Sequence, residues 1–274
     1  MCATCGCSDS GVVVIDGEAA THEHLHDHPH PHDHPHDHTT HDHDHDHGEV
    51  VTLEQQVLAR NDLGAARNRG WFEGRGILAL NLMSSPGAGK TTLLVRTITD
   101  LLTDEDGRGV AVVEGDQETA FDAERVRATG ADVVQVNTGS GCHLDAEMLA
   151  RALQVLDPAV GSLVMIENVG NLVCPALFDL GEAARVVIMS VTEGDDKPLK
   201  YPHMFRRADL LVLNKLDLLP HVEFDVDRCT ADARRLNPDL EVVAVSATRG
   251  DGLDDWYDWL DVRGGRRRPQ PVPG

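Results

Sequence analysis

The chain has 274 residues, of which 41% are hydrophobic, and a formal net charge of −22 at pH 7 with histidine neutral. This length fits one large globular domain with appendages, and the acidic surface disfavours nucleic acid and anionic lipid as partners. No apolar run approaches the roughly 20 residues that cross a bilayer, and the N-terminus lacks the pattern of a signal peptide. We therefore expect a cytoplasmic protein that binds neither membranes nor nucleic acid.

Two segments rich in metal-binding residue types open the chain. Residues 1–21 begin with Cys2, Cys5 and Cys7, whose thiolates suit Zn²⁺, Cu(I) or Fe–S centres and, with an amine nitrogen, square-planar Ni²⁺. An exposed redox-active thiol cluster is the alternative. Residues 22–47 hold 13 of the 16 histidines. This tract is too polar to form a core, so we expect it to be disordered without metal and to bind several Ni²⁺ or Zn²⁺ ions weakly.

From about residue 50, apolar segments alternate with helical patterns. Strands are predicted at 77–82, 110–114, 133–136, 163–168, 186–191, 210–214 and 242–246. Helices are predicted at 53–69, 90–102, 119–129, 145–156, 199–207, 227–236 and 253–260. This alternation predicts an α/β domain over 50–263, with a mostly parallel, roughly seven-stranded sheet flanked by helices, followed by a disordered tail at 264–274. Ligands bind such sheets at the carboxyl ends of the strands.

The first predicted strand of this domain runs into a glycine-rich loop, residues 84–92, and then a helix. The loop fits the phosphate-binding pattern G-x-x-x-x-G-K-[ST], except that Ser84 stands at the first glycine. Lys90 would contact the β- and γ-phosphates, and the Thr91 hydroxyl would bind Mg²⁺. Backbone N–H groups at a helix N-terminus bind anions, so the nucleotide-binding residues predicted here are Gly87, Ala88, Gly89, Lys90, Thr91 and Thr92.

A second motif, Asn214-Lys215-Leu216-Asp217, closes the strand at 210–214 and fits the N-K-x-D pattern of GTPases. The Asp217 carboxylate can accept hydrogen bonds from guanine N1 and the 2-amino group. Adenine cannot supply that pair of donors, so the motif favours GTP over ATP. Ser246 and Ala247, after the last strand, are predicted to support the base.

Acidic residues follow two other predicted strands, in Glu114-Gly115-Asp116 and in Glu167-Asn168-Val169-Gly170. Asp116 and Glu167 are predicted to hold Mg²⁺ with Thr91 and to act in catalysis with Lys90, and Asp122 is a further candidate ligand. The Gly170 N–H could contact a γ-phosphate. For each residue, a helix N-cap or a solvated loop is the alternative. No residue that orients the attacking water can be named.

A third set of candidate metal ligands consists of Cys142, His143 and Cys174. Cys142 and His143 follow one predicted strand, and Cys174 lies four residues beyond Gly170. Because we expect both segments to leave neighbouring strands at the nucleotide end of the sheet, the three side chains could converge. Movement of Gly170 on hydrolysis would then change the coordination of the metal. The alternative is that such cysteines are small buried apolar residues, and we interpret Cys229 in this way.

These segments, together with residues 114–119, 167–175 and 191–198, resemble the HypB family, GTPases that help deliver nickel to NiFe-hydrogenase. The resemblance spans nearly the whole chain. It implies a phosphate-loop fold of the SIMIBI class of GTPases, slow GTP hydrolysis, and a homodimer favoured by GTP. It also implies a nickel site at Cys2, Cys5 and Cys7, and a Ni²⁺ or Zn²⁺ site at the dimer interface, formed by Cys142, His143 and Cys174.

The partners that the resemblance implies are a HypA-like metallochaperone, a SlyD-like nickel protein in some organisms, and the precursor of the hydrogenase large subunit. Two other functions stay open. One is nickel storage or detoxification with a vestigial GTPase, which the long histidine tract favours. The other is a urease-type accessory GTPase, against which the cysteine motif argues.

Overall fold

The computed structural model describes residues 12–15, 18–19, 47–103, 108–116, 121–138 and 143–265, with the backbone alone described at 12–15, 18–19, 47–54, 116 and 121. Several predicted features lie outside these residues: the ligand candidates Cys2, Cys5, Cys7 and Cys142, the histidine tract up to residue 46, and residues 266–274 of the predicted tail.

The described strands form one sheet with the order β2-β1-β5-β4-β6-β3-β7-β8-β9. Strands β3 to β9 are mutually parallel, which confirms the predicted seven-stranded parallel sheet. Two short strands that the sequence did not predict join one edge, where β1 pairs antiparallel with both β2 and β5. The strands are β1 (Val12–Ile15), β2 (Glu18–Ala19), β3 (Leu78–Ser84), β4 (Val110–Asp116), β5 (Asp132–Asn137), β6 (Leu163–Glu167), β7 (Ala184–Ser190), β8 (Leu210–Asn214) and β9 (Glu241–Ala244).

Helices flank the sheet much as the sequence predicts. The helix predicted at 199–207 is instead two short helices because Pro202 lacks an N–H group and begins a new first turn. A four-residue helix at Cys174–Leu177 was not predicted. The helices are α1 (His47–Gly74), α2 (Lys90–Leu102), α3 (Phe121–Arg127), α4 (Ala146–Leu156), α5 (Cys174–Leu177), α6 (Lys197–Lys200), α7 (Pro202–Arg206), α8 (Val226–Leu236) and α9 (Leu253–Arg263), with a 3₁₀ helix at Leu216–His221. In the part of the chain that the structure describes, no helix has the length and apolarity to span a membrane.

The core lies on both faces of the sheet because alternate residues of each central strand point to opposite sides. In β3, Leu80 and Leu82 pack on the side of α2 and α9, whereas Ala79 packs on the side of α4. On the first side, the buried indole N–H of Trp256 donates to Thr97 Oγ1 at 2.9 Å, so this large side chain leaves no unpaired polar atom. A core covered on both faces holds the carboxyl ends of the strands in fixed register.

Polar contacts help to attach the long helix α1 to the domain, in addition to the buried side chains of Ala65 and Phe72. Asn68 Nδ2 donates to the carbonyl oxygens of Ala146 and Leu180, at 2.8 and 3.1 Å. Arg69 Nη2 contacts both carboxylate oxygens of Asp179, at 2.9 and 2.8 Å. These contacts fix α1 against the start of α4 and the loop before β7, the two segments that follow His143 and Cys174.

Candidate functional site

A cavity of ≈ 540 Å³ lies at the carboxyl ends of β3, β4 and β6. The loop from β3 to α2 forms one wall of this cavity. Gly87 and Gly89 there have φ values of 76° and 91°, in the left-handed region that favours glycine. The other lining residues come from the strand ends, from α3 and from the guanine motif. The lining comprises Ser84, Ser85, Pro86, Gly87, Ala88, Gly89, Lys90, Thr91, Thr92, Glu114, Gly115, Asp122, Arg125, Glu167, Val169, Gly170 and Lys215.

Glu167, at the end of β6, holds the two functional side chains that begin α2. Its Oε1 accepts hydrogen bonds from Lys90 Nζ and from Thr91 Oγ1, both at 2.8 Å. Lys90 Nζ also donates to the carbonyl oxygen of Asn168 at 2.7 Å. The Lys90–Glu167 pair is nearly buried, with side-chain exposures of 11% and 4%. In this position, the Lys90 ammonium group can replace its carboxylate partner by the phosphate of a bound nucleotide.

The acidic residues at this end of the cavity fit a divalent cation. Glu114 lies beside Glu167 in the register of β4 and β6, and both are almost fully buried. Glu167 Oε2 is buried and accepts no hydrogen bond from any described residue. Carboxylate oxygens beside a threonine hydroxyl are suitable ligands for Mg²⁺. The side chain of Asp116 lies outside the described atoms, so its predicted role stays a prediction.

Two charged residues of the cavity lining, Glu114 and Arg125, were not among the site residues predicted from the sequence. Glu114 belongs to a motif that the sequence marked, but only the strand register places it beside Glu167. Arg125, on α3, donates to Asp122 Oδ1 at 3.3 Å and approaches Thr92 Oγ1 at 3.5 Å. No sequence motif marks this arginine, because its position depends on how α3 packs against α2. Asp122, a predicted Mg²⁺ ligand, is thus paired with a cation.

The guanine motif contacts the phosphate loop directly. Asn214 Nδ2 donates to the carbonyl oxygen of Ala88 at 3.1 Å, and Lys215 Nζ donates to that of Gly87 at 2.7 Å. The backbone of Lys215 has a φ of 64°, a left-handed conformation that is uncommon for lysine. The side chain of the same residue makes the contact with the phosphate loop.

The base-supporting loop lies behind the same motif. Asn214 Oδ1 accepts the N–H of Ala247 at 3.1 Å, and Ser246 Oγ donates to Asp217 Oδ1 at 2.5 Å. The structure therefore brings Ser246 and Ala247 against the predicted base-recognition motif, and Ser246 holds the Asp217 carboxylate in place.

Gly170 lies against the phosphate loop at Pro86. A Cβ added at Gly170 would be 3.3 Å from Pro86 Cγ, so the chain passes the loop closely here. Both residues line the cavity. This position agrees with the predicted contact between the Gly170 N–H and a γ-phosphate, which stays a prediction.

The described part of the third metal set lies next to α5. The strands that precede its two segments, β5 and β6, are not neighbours as predicted, because β4 pairs between them. The His143 ring stacks on Phe178, with ring centroids 3.9 Å apart and an interplanar angle of 28°. Phe178 directly follows α5, the helix that Cys174 begins. Burial lowers the pKa of His143, against a smaller raising effect of Asp145, and so favours the neutral imidazole that binds metals. Among the described residues no group of three possible metal ligands occurs, and Cys142 lies outside them, so convergence of the three side chains is untested.

The segment 191–198, one of those that carry the resemblance, supports the phosphate loop from outside the cavity. Glu193 Oε2 accepts a hydrogen bond from Ser85 Oγ at 2.7 Å, and Lys197 Nζ contacts both of these residues. Glu193 Oε1 accepts the N–H of Ser190 at 3.0 Å, at the end of β7. The second residue of the loop is thereby fixed to the neighbouring strand.

Cys229 is separate from these sites. It is fully buried on α8 in contact with Met189, and burial raises the pKa of its thiol to about 12. A thiol that stays protonated is a poor metal ligand, which agrees with the structural role expected of it.

The parallel sheet, the phosphate loop and the adjoining N-K-x-D motif together define a nucleotide-binding protein of the phosphate-loop class. Residues 78–244 match the family described as "CobW/HypB/UreG, nucleotide-binding domain". The chain belongs, within this class, to the HypB family, as its relatives and solved structural neighbours show.

The relatives include proteins named "Hydrogenase maturation factor HypB". The protein from Rhizobium leguminosarum bv. viciae is 56% identical over 218 residues, which are 80% of this chain and 72% of that protein. The protein from Escherichia coli (strain K12) is 54% identical over 214 residues, covering 78% of this chain and 73% of that one.

Solved structures of HypB proteins share the fold. The crystal structure of HypB from Helicobacter pylori in complex with nickel has a TM-score of 0.69 at 36% identity and covers 78% of this chain and 100% of that chain. The crystal structure of HypB from Archaeoglobus fulgidus has a TM-score of 0.69 at 41% identity, with coverages of 76% and 100%.

Proposed function

We propose that this chain hydrolyses GTP to GDP and phosphate and uses the nucleotide cycle to deliver Ni²⁺ during maturation of NiFe-hydrogenase. The observation that carries the proposal is the contact of Asn214 with the phosphate loop, which joins phosphate binding and guanine selection in one site. The names of the relatives, hydrogenase maturation factors, and the nickel complex of one structural neighbour support the choice of process and metal.

Hydrolysis begins with an exchange of partners at Lys90. GTP brings phosphate oxygens to the loop, and the ammonium group of Lys90 turns from Glu167 to the β- and γ-phosphates. Thr91, Glu167 and Glu114, with Asp116, are the residues that would hold Mg²⁺. When bound, Mg²⁺ neutralises charge on the phosphate oxygens. Arg125 adds a further positive charge on the wall of the cavity.

A water molecule then attacks the γ-phosphorus, the bond to the β-phosphate oxygen breaks, and GDP and phosphate leave without a covalent intermediate. The chain contributes mostly positioning and charge, through Lys90 and the backbone of the loop. Because no side chain is assigned to orient the water, we expect slow turnover.

Nickel is the cargo in this proposal. Cys142, His143 and Cys174 would hold it in the GTP-bound homodimer, and release of phosphate would loosen them. Zn²⁺ can occupy the same donor set. Cys2, Cys5 and Cys7 would form a second nickel site, with the histidine tract as a reserve. The proposed partners are a HypA-like metallochaperone, a SlyD-like nickel protein and the precursor of the hydrogenase large subunit.

The test is the affinity of the full chain for Ni²⁺ with GDP and with a non-hydrolysable GTP analogue, alongside GTP and ATP turnover. We expect GTP to be preferred and the two nickel affinities to differ by about 5- to 150-fold, the usual range for coupled sites. Equal affinities would remove the coupling, and equal use of ATP would remove the guanine assignment.

A urease-related function is the second candidate, because one relative, from Helicobacter pylori, is named "Hydrogenase/urease maturation factor HypB" at 39% identity. Deletion of the gene separates the two processes. Loss of hydrogenase activity with intact urease activity supports hydrogenase maturation, and the opposite result supports the urease process.

A further inference from the structure

We infer that Asn168 is the positioning residue that transmits the state of the phosphate site to the segment carrying His143. This inference rests on the proposed function, since it names the residue through which nucleotide and metal would be coupled. It assigns the link to the side chain of a buried asparagine that contacts neither nucleotide nor metal in the proposed mechanism. Asn168 directly follows Glu167 at the end of β6.

The backbone of Asn168 belongs to the phosphate site. Its carbonyl oxygen accepts the hydrogen bond from Lys90 Nζ at 2.7 Å, and its N–H donates to the carbonyl oxygen of Leu82 at 3.1 Å. A hydrogen bond from an ammonium group is stronger than one between neutral groups. The position of this peptide therefore depends on where the charge of Lys90 lies.

The side chain of Asn168 contacts the segment that carries His143. It is completely buried, and its Oδ1 accepts two N–H groups, from Leu144 at 3.2 Å and from Val169 at 3.0 Å. Its Nδ2 donates to Asn81 Oδ1 at 3.3 Å, and Asn81 is held in turn by Glu182. With donors on one side and an acceptor on the other, the amide has one orientation that satisfies every partner.

Leu144 connects this amide to the metal segment and to the cavity wall. It directly follows His143, and its side chain is fully buried against Gly115, where an added Cβ would lie 2.7 Å from Leu144 Cγ. Gly115 and Glu114 both line the cavity. A shift of the Asn168 peptide is thus passed to the residue next to His143, with little space for Leu144 to move independently.

The link works through the partner exchange of Lys90. Without nucleotide, Lys90 binds the Asn168 carbonyl and keeps β6 and the Leu144 N–H in register. Phosphates draw the ammonium group away, the carbonyl loses its charged donor, and the hydrogen bond to Leu144 weakens. We expect this effect to be larger with a triphosphate, which offers Lys90 the γ-phosphate as well.

Hydrogen–deuterium exchange of the full chain tests the link without any metal. The readout is the exchange of the Leu144 amide without nucleotide, with GDP and with a non-hydrolysable GTP analogue, each with Mg²⁺. In the wild type, we expect exchange to be slowest without nucleotide and fastest with the analogue. In Asn168→Ala, we expect fast exchange that no longer depends on nucleotide. A wild-type pattern in this variant would overturn the inference.

The matched control is Asn68→Ala, which removes another buried asparagine near the same segment. Asn68 bonds to Ala146 and Leu180 but has no contact with the cavity. In this variant, the exchange of the Leu144 amide should still depend on the nucleotide. If the dependence is lost in both Asn168→Ala and Asn68→Ala, Asn168 contributes only to general stability and the inference is overturned.

Two further variants test the inference if Asn168→Ala does not fold. Asn168→Leu fills the same space without the acceptor and should also lose the nucleotide dependence. If neither folds, Asn168→Asp keeps the acceptor oxygen and should retain the dependence at Leu144. Exchange that is independent of nucleotide in Asn168→Asp would then overturn the inference.

A metal measurement separates this inference from the proposed function. In the full chain with Cys2, Cys5 and Cys7 changed to serine, the Ni²⁺ affinity is compared between GDP and the GTP analogue, with and without Asn168→Ala. We expect Asn168→Ala to bring the affinity ratio close to one. If the ratio of Ni²⁺ affinities is already one without Asn168→Ala, and the exchange of the Leu144 amide still depends on the nucleotide, the nickel coupling is overturned. The link between the phosphate site and Leu144 would then remain.

Discussion

Gly89 and Asn214 are in such close contact that a Cβ at residue 89 would lie 2.5 Å from Asn214 Nδ2. The phosphate loop can therefore pack this closely against the guanine motif only because residue 89 has no side chain. Asn214 lies on a buried strand end, held by the N–H groups of Lys215 and Ala247, so it cannot move aside freely. This contact makes the shape of the phosphate loop depend on the predicted base-recognition motif.

Gly89→Ala should lose most nucleotide affinity. The φ of 91° costs a non-glycine residue about 1–3 kcal/mol, and the new methyl group would also displace Asn214. We expect GDP and GTP to bind at least about tenfold more weakly, measured by isothermal titration calorimetry. Gly70→Ala is the matched control, because this α1 position has nothing within 4 Å of an added Cβ and should keep its affinity. Normal binding by Gly89→Ala would contradict the close fit.

Asp217→Asn should change the preferred base. Asparagine presents an N–H donor where the carboxylate accepts from guanine, and xanthine supplies the matching carbonyl oxygen. We expect weaker use of GTP and stronger use of xanthosine triphosphate, compared by kcat/KM for the two nucleotides. Ser246→Ala, which removes the hydrogen bond that holds Asp217, should weaken GTP binding and leave the preference for guanine. Unchanged selectivity in Asp217→Asn would refute the assignment.

Arg125→Ala should raise the KM for GTP more than it lowers kcat. Arg125 lines the cavity and approaches Thr92, on the first turn of α2, so its charge acts on bound phosphate. Loss of one hydrogen bond to a charged group corresponds to roughly tenfold in affinity. Arg127→Ala, on the same helix but outside the cavity lining, is the control. A fall in kcat alone would instead place Arg125 in the chemical step.

The stability contribution of Asp179 should disappear in acid. Burial by itself raises its pKa, but the Gly181 N–H and the guanidinium groups of Arg69 and Arg185 outweigh burial and lower the pKa below its ordinary value of 3.8. Because the folded pKa is the lower one, the contribution is present above 3.8 and is lost as the pH falls through the folded value. Asp179→Asn should therefore destabilise the protein at neutral pH by on the order of 1 kcal/mol, since the ion pair is partly exposed.

Urea unfolding of the wild type and of Asp179→Asn at several pH values checks this prediction. The difference between their free energies of unfolding should shrink below the ordinary pKa of 3.8. A difference that stays constant from neutral pH into that range would mean that the Asp179 charge contributes nothing to stability.

Local sequence was sufficient for the parts of this protein whose patterns are local. Several of the seven parallel strands are nearly continuous apolar runs, as burial on both faces demands, and all seven occur where they were predicted. The loop from Ser84 to Thr92 and the motif from Asn214 to Asp217 identify themselves because each needs particular residues at adjacent positions. The same motifs carried the resemblance to the HypB family, which the relatives confirm.

The contacts between distant segments depended on tertiary structure. That Glu114 lies beside Glu167 follows from strand register, and that Arg125 reaches the cavity follows from the packing of two helices. The split of the helix predicted at 199–207 is different, because its cause, Pro202, is a local feature that the prediction did not take into account. The carboxylate that pairs with Lys90, and the asparagine between Lys90 and Leu144, are decided by which strand ends lie side by side. The local sequence determines which side chains each strand carries. Which of these side chains contact each other depends on the order and register of the strands in the folded sheet.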